Sequence, residues 1–127
     1  MIGYVTLGTN DLAKAVAYYD ALFGSINIGR MMEDEYFVAW APSPEAPAVS
    51  VTVPFNKEPA TVGNGVMVSL MMESPEKIQA FHSKALELGG TDEGKPGFRP
   101  EGNDKGYYGA YFRDLDGNKL NVFCIVE

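Results

Sequence analysis

The sequence is poor in the residues that form disulfides and that bind transition metals. Its 127 residues include one cysteine, Cys124, and one histidine, His82. A single cysteine excludes an intramolecular disulfide, and a single histidine cannot supply a site built from several imidazoles. We expect His82 at the outer edge of a helix and without a catalytic role, and Cys124 as a small core residue. A serine, histidine and aspartate triad is therefore not expected.

Basic residues and long apolar runs are also scarce. Ten lysines and arginines oppose seventeen aspartates and glutamates, which gives a net charge of -7, and the bases are dispersed. Nucleic acid is therefore not an expected partner, because phosphate attraction dominates that kind of binding. No apolar run approaches the roughly 20 residues that cross a bilayer, and no basic segment followed by an apolar one opens the chain. We expect no membrane partner and a cytoplasmic location.

The first half of the chain has the pattern of a strand, a helix and three strands. Residues 2–8 alternate as a strand does, and Asn10 or Asp11 can cap a helix that Gly24 ends. The apolar residues of this helix recur at helical spacing and are Leu12, Val16, Tyr19 and Phe23. Three further strands are predicted, at about 26–32, 36–41 and 48–55.

The second half repeats this order. A strand at 65–72 precedes a helix capped by Ser74, with Pro75 at its first position, and Gly89-Gly90 ends that helix. A short strand near Thr91 and a Gly/Pro-rich loop at 94–106 follow. Two long strands are predicted at 107–113 and 118–126, joined by the hairpin signal Asp116-Gly117. The sequence thus predicts an α+β fold of two βαβββ modules, about 1–58 and 63–127, within a single domain spanning 1–127.

Two segments carry a family resemblance. The first runs Gly3-Tyr4-Val5-Thr6-Leu7-Gly8-Thr9-Asn10-Asp11-Leu12 and is followed by Tyr18-Tyr19, and the second runs from Tyr111 through Asp114-Leu115-Asp116-Gly117 to Asn121. Together they resemble the vicinal oxygen chelate superfamily, which contains glyoxalase I, the fosfomycin and bleomycin resistance proteins and extradiol dioxygenases. The resemblance implies that each module contributes a curved mixed sheet and that two modules form a cup around a ligand. Pairing within one chain and exchange within a homodimer both remain open.

The resemblance also implies four positions for metal ligands. They fall on Tyr4, on Thr52 with Ser50 as the alternative register, on Val66 and on Asn121. Divalent first-row metals prefer imidazole, carboxylate or thiolate, and none of these residues offers one. We therefore expect neither a bound metal nor another cofactor.

Tyr111 stands three residues before Asp114, where fosfomycin-resistance members of the superfamily place a pocket tyrosine. Strand periodicity places Tyr107 and Gly109 on the same side as Tyr111. The expected lining of the cup is aromatic and uncharged polar, a composition that suits a flat or apolar small molecule. The predicted ligand-binding residues are Tyr4, Thr6, Trp40, Ser50, Thr52, Phe55, Val66, Tyr107, Tyr111, Asn121 and Phe123.

Two kinds of function are compatible with these residues. The first is a metal-free binding protein, expected to be a homodimer, that sequesters or senses a small aromatic or apolar compound. The alternative is a glyoxalase I-like lyase, or a metal-dependent or metal-independent isomerase or dioxygenase of the same superfamily. A metal-independent enzyme would need Tyr4 or Tyr111 as acid or base, with a nearby cation to lower the tyrosine pKa. The candidate cations are Arg99, Lys105 and Arg113.

Overall fold

The computed structural model describes all 127 residues, which form two compact units, Met1–Gly63 and Asn64–Glu127. Unit 1 comprises β1 (Tyr4–Gly8), α1 (Leu12–Gly24), β2 (Arg30–Glu33), β3 (Phe37–Trp40) and β4 (Ala48–Thr52). Unit 2 comprises β5 (Val68–Met71), α2 (Pro75–Glu87), β6 (Thr91–Phe98), β7 (Gly106–Arg113) and β8 (Lys119–Val126). The predicted α+β class and the βαβββ order of both halves are confirmed. The grouping of both units into a single domain stays a prediction.

Each unit contains one four-stranded mixed sheet. The strand orders are β1-β4-β3-β2 and β5-β8-β7-β6. In both sheets the first pair is parallel and the other two pairs are antiparallel. The first strand of each unit therefore pairs with the last, which places residues from opposite ends of the unit side by side.

The helices begin at residues whose side chains accept a backbone hydrogen bond. The Asp11 carboxylate accepts from the Lys14 N–H at 3.1 Å. The Ser74 hydroxyl accepts from the Lys77 N–H at 3.3 Å, and Pro75 occupies the first turn of α2. Each cap satisfies a donor that the first helical turn leaves without a partner, so the helices start where the sequence predicts.

One face of each sheet packs against the helix of its own unit. In unit 1 the Trp40 ring lies 5.6 Å from Tyr19 and 5.8 Å from Phe23, both on α1. In unit 2 the Phe112 ring of β7 lies 6.1 Å from Phe81 of α2. We call the opposite face of each sheet, turned away from the unit's own helix, its far face.

Two strands differ from their predicted bounds. β2 starts at Arg30 and not near 26, because Asn27 adopts a positive φ of 62° that interrupts an extended chain. β6 continues through the predicted loop to Phe98, with register shifts between Asp92 and Gly97. Both helices have 13 residues, and neither is long and apolar enough to cross a membrane.

Candidate functional site

The far face of the unit 2 sheet brings together four of the predicted residues. Tyr107 and Tyr111 alternate along β7 with residues that face α2. Tyr111 is paired with Asn121 on β8, and Phe123 stands two residues further along that strand. The neighbouring edge strand β5 adds Ser69, which is paired with Asn121. Tyr107, Tyr111, Asn121 and Phe123 therefore share one face, as their strand phases predict.

Asn121 is the centre of this face and is fully buried. Its Nδ2 donates to the Ala110 carbonyl at 3.0 Å and to the Val122 carbonyl at 3.3 Å. Its Oδ1 accepts from the Tyr107 hydroxyl at 2.9 Å and from the Ser69 hydroxyl at 2.5 Å. Carbonyls only accept, so they fix which end of the amide faces them. The Asn121 side chain is thus occupied by protein groups and holds the Tyr107 hydroxyl in place.

Two glycines make room for the tyrosine rings. A Cβ on Gly109 would lie 2.8 Å from Cε1 of Tyr107, and a Cβ on Gly94 would lie 2.8 Å from Cδ1 of Tyr111. The Tyr107 ring also stacks on Phe123, with centroids 5.3 Å apart and an interplanar angle of 6°. Glycine inside a strand is a sign of such close approach. The result is an aromatic surface held close to the sheet.

The two tyrosine hydroxyls are 3.5 Å apart. Burial, and then the hydrogen bond with Tyr111, raise the pKa of Tyr107 to about 12. Tyr107 is therefore a hydrogen-bond donor at neutral pH and a poor general base.

Two cations flank the Tyr111 ring. The Arg99 guanidinium and the Lys119 ammonium each lie 5.7 Å from the ring centroid. Arg99 donates to the Lys95 carbonyl at 2.7 Å and to the Phe98 carbonyl at 3.2 Å. It also lines a cavity of about 400 Å³ formed by residues between Gly94 and Asn103. The aromatic surface at Tyr111 therefore has two positive charges beside it.

In unit 1 the β1–β4 pair places small hydroxyl side chains on the far face. The Ser50 hydroxyl donates to Thr6 Oγ1 at 3.0 Å across the parallel β1–β4 pair. Tyr4 and Thr52 share this face by alternation, and Tyr4 is 68% exposed. The structure therefore brings Thr6 and Ser50 together but gives this face no stacked aromatic pair.

Three predicted ligand-binding residues lie away from the far faces of the two sheets, and the strand phase predicted for Trp40 is wrong. Trp40 is paired with Val49, which is in the opposite phase to Ser50. The Trp40 ring therefore packs under α1, and its Nε1 donates to Asp20 at 2.9 Å. Phe55 lies in the turn after β4 and is fully exposed. Val66 precedes β5 and is 61% exposed. Counting back two residues from Ser69 reaches Met67, so Val66 is in the opposite phase to Ser69.

His82 also differs from its expected position at the outer edge of a helix. It is buried, and its Nε2 lies 3.1 Å from an Asp92 carboxylate oxygen and 3.1 Å from the Tyr111 carbonyl. Both partners accept hydrogen bonds, so Nε2 carries the proton. The histidine thereby links α2 to the backbone of Tyr111. The expected position of His82 at the outer edge of a helix is therefore wrong.

The donor chemistry at the four implied ligand positions does not fit a transition metal. Tyr4, Thr52 or Ser50, and Val66 offer no imidazole, carboxylate or thiolate, and the Asn121 amide is engaged as described. No group of three or more His, Cys, Asp or Glu side chains is placed to hold an ion. Cys124 is buried on the opposite face from Asn121, and burial, followed by the charge of Glu76, raises the pKa of its thiol.

The comparisons with known proteins agree with this arrangement of strands and helices. The family model described as "Glyoxalase/Bleomycin resistance protein/Dioxygenase superfamily" matches residues 1–122. The chain belongs to this superfamily. A glyoxalase/bleomycin resistance protein from Albidiferax ferrireducens T118 is 39% identical, covers 97% of both chains and has a TM-score of 0.84. No curated protein has significant similarity to the chain.

More distant superfamily structures share the fold. A hypothetical protein from S. aureus is 24% identical, with a TM-score of 0.72 over 97% of this chain and 91% of its own. Lactoylglutathione lyase from Agrobacterium tumefaciens is 18% identical, with a TM-score of 0.69 over 97% of this chain and 92% of its own. At these identities the likeness establishes the fold alone.

Sequence reasoning missed several residues of the unit 2 far face. Ser69 is found by counting alternate residues on β5, but its pairing with Asn121 requires the strand register. Gly94 was assigned to a loop, although glycine within a strand also signals close approach by another group. Lys119 could have been found by its place two residues before Asn121 on the same strand face.

Proposed function

We propose that the protein is a metal-free small-molecule-binding member of the superfamily and that the far face of unit 2 carries its ligand. The observation that supports this best is the environment of Asn121. It stands where the resemblance implies an acidic metal ligand, yet its amide donates to two carbonyls and accepts from two hydroxyls. Such an amide organises a hydrogen-bonded surface and has no free donor set for a metal.

The composition of this face favours a flat, partly apolar ligand. Tyr107 and Phe123 form a stacked pair, and the ring and hydroxyl of Tyr111 lie beside it. Aromatic side chains bind rings by offset stacking and edge contacts, and a tyrosine hydroxyl adds one directional hydrogen bond. A small aromatic compound would use both features.

Binding is favoured over catalysis by the chemistry of the same residues. The pKa of Tyr107 is raised to about 12 by burial and by its bond to Tyr111, so this tyrosine does not readily give up its proton near neutral pH. The only histidine is hydrogen-bonded to Asp92 and to a backbone carbonyl, at 3.1 Å from each. Tyr107 is therefore suited to donating a hydrogen bond, and His82 to holding the backbone of β7 against α2.

The homodimer and the cytoplasmic location stay part of the proposal. Sedimentation equilibrium of the purified protein measures the first. A mass of about 13.8 kDa would mean a monomer and would remove the dimer from the proposal.

Metal analysis is the first test. We expect dialysis against zinc, nickel or cobalt, followed by removal of free ions, to leave well under one ion per chain. A matched variant, Asn121→Glu, places a carboxylate at the fourth implied position, while the other three positions stay without imidazole, carboxylate or thiolate. One tightly bound ion per wild-type chain would refute the metal-free proposal.

Ligand binding is the second test, and titration calorimetry suits it because the single tryptophan lies under α1 and not on the far face of unit 2. A screen of neutral and charged aromatic compounds should yield a binder. Tyr111→Phe should then weaken binding by about 1 to 3 kcal/mol if the hydroxyl pairs with the ligand. Tyr111→Ala should weaken it further, because it also removes the ring.

The matched control is Tyr36→Ala, which removes a tyrosine that is 46% exposed in unit 1. Its affinity should equal that of the wild type. If Tyr111→Phe, Tyr111→Ala and Tyr36→Ala all bind with wild-type affinity, the far face of unit 2 is not the binding site.

A further inference from the structure

We propose that the ligand of the unit 2 far face is an aromatic anion, whose ring lies on the Tyr111 surface and whose carboxylate, phosphate or sulfonate is bound by Arg99 and Lys119. This inference rests on the proposed function, and it adds the charge and chemical class of the ligand. Its basis is a pair of cations that the protein does not neutralise.

Four of the ten lysines and arginines are paired with carboxylates. Ion pairs within 4.0 Å involve Arg30, Lys77, Lys84 and Arg113. Arg99 and Lys119 have no carboxylate within that distance, although acids outnumber bases by seventeen to ten. In an acidic chain, two cations without acidic partners beside one aromatic ring form a local site for negative charge.

Arg99 is already held in position. Its guanidinium donates to two carbonyls, those of Lys95 and Phe98. It also lies over two glycines, since a Cβ on Gly97 would be 3.1 Å from one terminal nitrogen and a Cβ on Gly94 would be 3.4 Å from the other. A guanidinium has further N–H groups beyond these two, and a fixed fork of donors matches the oxygens of a carboxylate or phosphate.

The two cations lie on, or directly after, the two strands on either side of β7, the strand of Tyr111. Lys119 belongs to β8 and Arg99 follows the last residue of β6, while Tyr111 lies on β7 between them in the sheet order. Each cation is 5.7 Å from the ring centroid. A ligand ring placed against Tyr111 would therefore have two positive charges close to it. Glu101 lines the same cavity as Arg99 and favours a singly charged anion over a polyanion.

The experiment uses two probes of the same shape, 1-naphthoate and 1-naphthamide, in calorimetric titrations of the whole protein at pH 8. The wild type should bind the anion at least about tenfold more tightly than the amide. Arg99→Gln should lower naphthoate affinity about 10- to 100-fold, as expected for loss of a charge-assisted hydrogen bond. Lys119→Gln should lower it about threefold, and both variants should bind naphthamide as the wild type does.

The control is Lys14→Gln, which makes the same charge change on the exposed side of α1 in unit 1 and should leave both affinities unchanged. Arg99→Lys keeps the charge without the fork and should retain part of the preference. If Arg99→Gln fails to fold, judged by circular dichroism and thermal melting, Arg99→Lys and Lys119→Gln decide the question. 1-Naphthyl phosphate and 1-naphthalenesulfonate show which acidic group is preferred.

The outcomes separate this inference from the proposed function. Equal affinity for naphthoate and naphthamide, both reduced by Tyr111→Ala, would overturn the anion inference and leave the binding function standing. An Arg99→Gln variant that behaves like Lys14→Gln would also overturn it. If no aromatic probe, charged or neutral, binds to the wild type, both proposals fail.

Discussion

The two units share one topology but differ in the chemistry of their far faces. Thr6 and Ser69 each lie five residues before the N-cap of the following helix, and each pairs with a polar residue on the last strand of its unit. In unit 1 that residue is Ser50, which bonds to Thr6. In unit 2 it is Asn121, which bonds to Ser69 and additionally to a tyrosine hydroxyl and two carbonyls. The Ser50 hydroxyl also contacts the Val5 carbonyl at 3.1 Å. The same position thus supports two contacts from one hydroxyl in unit 1 and a four-bond network in unit 2.

The aromatic residues are also distributed differently. In unit 1 the large buried aromatic residues lie on the helix side, where Tyr19, Phe23 and Trp40 pack together. Its far face instead includes a small buried cluster of Ala39, Ala41 and Ala48. Unit 2 places Tyr107, Tyr111 and Phe123 on its far face. The same backbone pattern therefore carries a stacked and hydrogen-bonded aromatic group on the far face of unit 2, and no such group lies on the far face of unit 1. This difference is why the functional proposal concerns unit 2.

The largest effect should come from truncating the two equivalent polar residues. Asn121→Ala removes the partner of two hydroxyls and two carbonyls inside the protein, and we expect it to lower the free energy of unfolding by about 3 kcal/mol. Ser50→Ala removes one hydroxyl donor and should cost about 1 kcal/mol. Urea denaturation followed by circular dichroism measures both.

Equal losses in the two variants would mean that the Asn121 network contributes no more to stability than the Ser50 hydroxyl does. Asn121→Ala should also release the Tyr107 hydroxyl, so the phenol pKa, followed by ultraviolet titration, should change relative to its raised value of about 12. Ser50→Ala should leave that titration unchanged.

A second difference lies on the helices, where Tyr19 of α1 and His82 of α2 both follow their N-cap by eight residues. Tyr19 packs among aromatic rings, whereas His82 donates to Asp92 and to the Tyr111 carbonyl. His82→Ala should therefore destabilise the protein by about 2 kcal/mol, because it leaves a cavity and a carbonyl without its donor. Thermal unfolding measures this loss.

The conservative variant His82→Gln keeps an N–H donor near the position of Nε2 and should recover about half of the lost stability. If His82 positions β7, the Tyr111 backbone amide signal in an NMR spectrum should shift in His82→Ala and return toward its wild-type position in His82→Gln. An alanine variant as stable as the wild type, with unchanged Tyr111 signals, would show that His82 has no positioning role.

Strands that alternate polar and apolar residues reveal which face each residue occupies, and uniformly apolar strands do not. On β7 and β8 glycine and polar residues interrupt the apolar positions, so alternation correctly placed Tyr107, Tyr111, Asn121 and Phe123 on one face. β3 reads Phe-Val-Ala-Trp and is apolar at every position. Alternation therefore carried no information there, and the face of Trp40 was assigned wrongly.

The partners of His82 were beyond the reach of local patterns. Asp92 and the Tyr111 carbonyl lie ten and 29 residues away in sequence, and both are brought to the helix by strand pairing. The position of Arg99 over Gly94 and Gly97 likewise depends on the register shifts in β6, where Gly and Pro had indicated a loop. Turn residues at a bulge and in a loop look alike in a sequence.

The smallest expected effect is a pH dependence that belongs to unit 1. Hydrogen bonding to Arg30 lowers the pKa of Asp20, burial opposes this, and the Trp40 N–H lowers it further. Because the folded pKa lies below the unfolded one, the stabilisation is present above the unfolded value of about 3.9 and is lost as the pH falls through the folded value. Asp20→Asn keeps an acceptor for Trp40 but removes the charge. It should therefore be less stable than the wild type at pH 6 by at most about 1 kcal/mol, since the pair is partly exposed.

The two unfolding free energies should converge as the pH falls through the lowered folded pKa of Asp20, because the wild-type carboxyl is then also protonated. Glu45→Gln is the control, because Glu45 is exposed and has no basic partner within 4.0 Å. Its difference from the wild type should stay near zero at every pH. If the Asp20→Asn difference instead persists unchanged at low pH, the ion pair with Arg30 does not set the acid sensitivity of unit 1, and the loss arises from altered packing at Trp40.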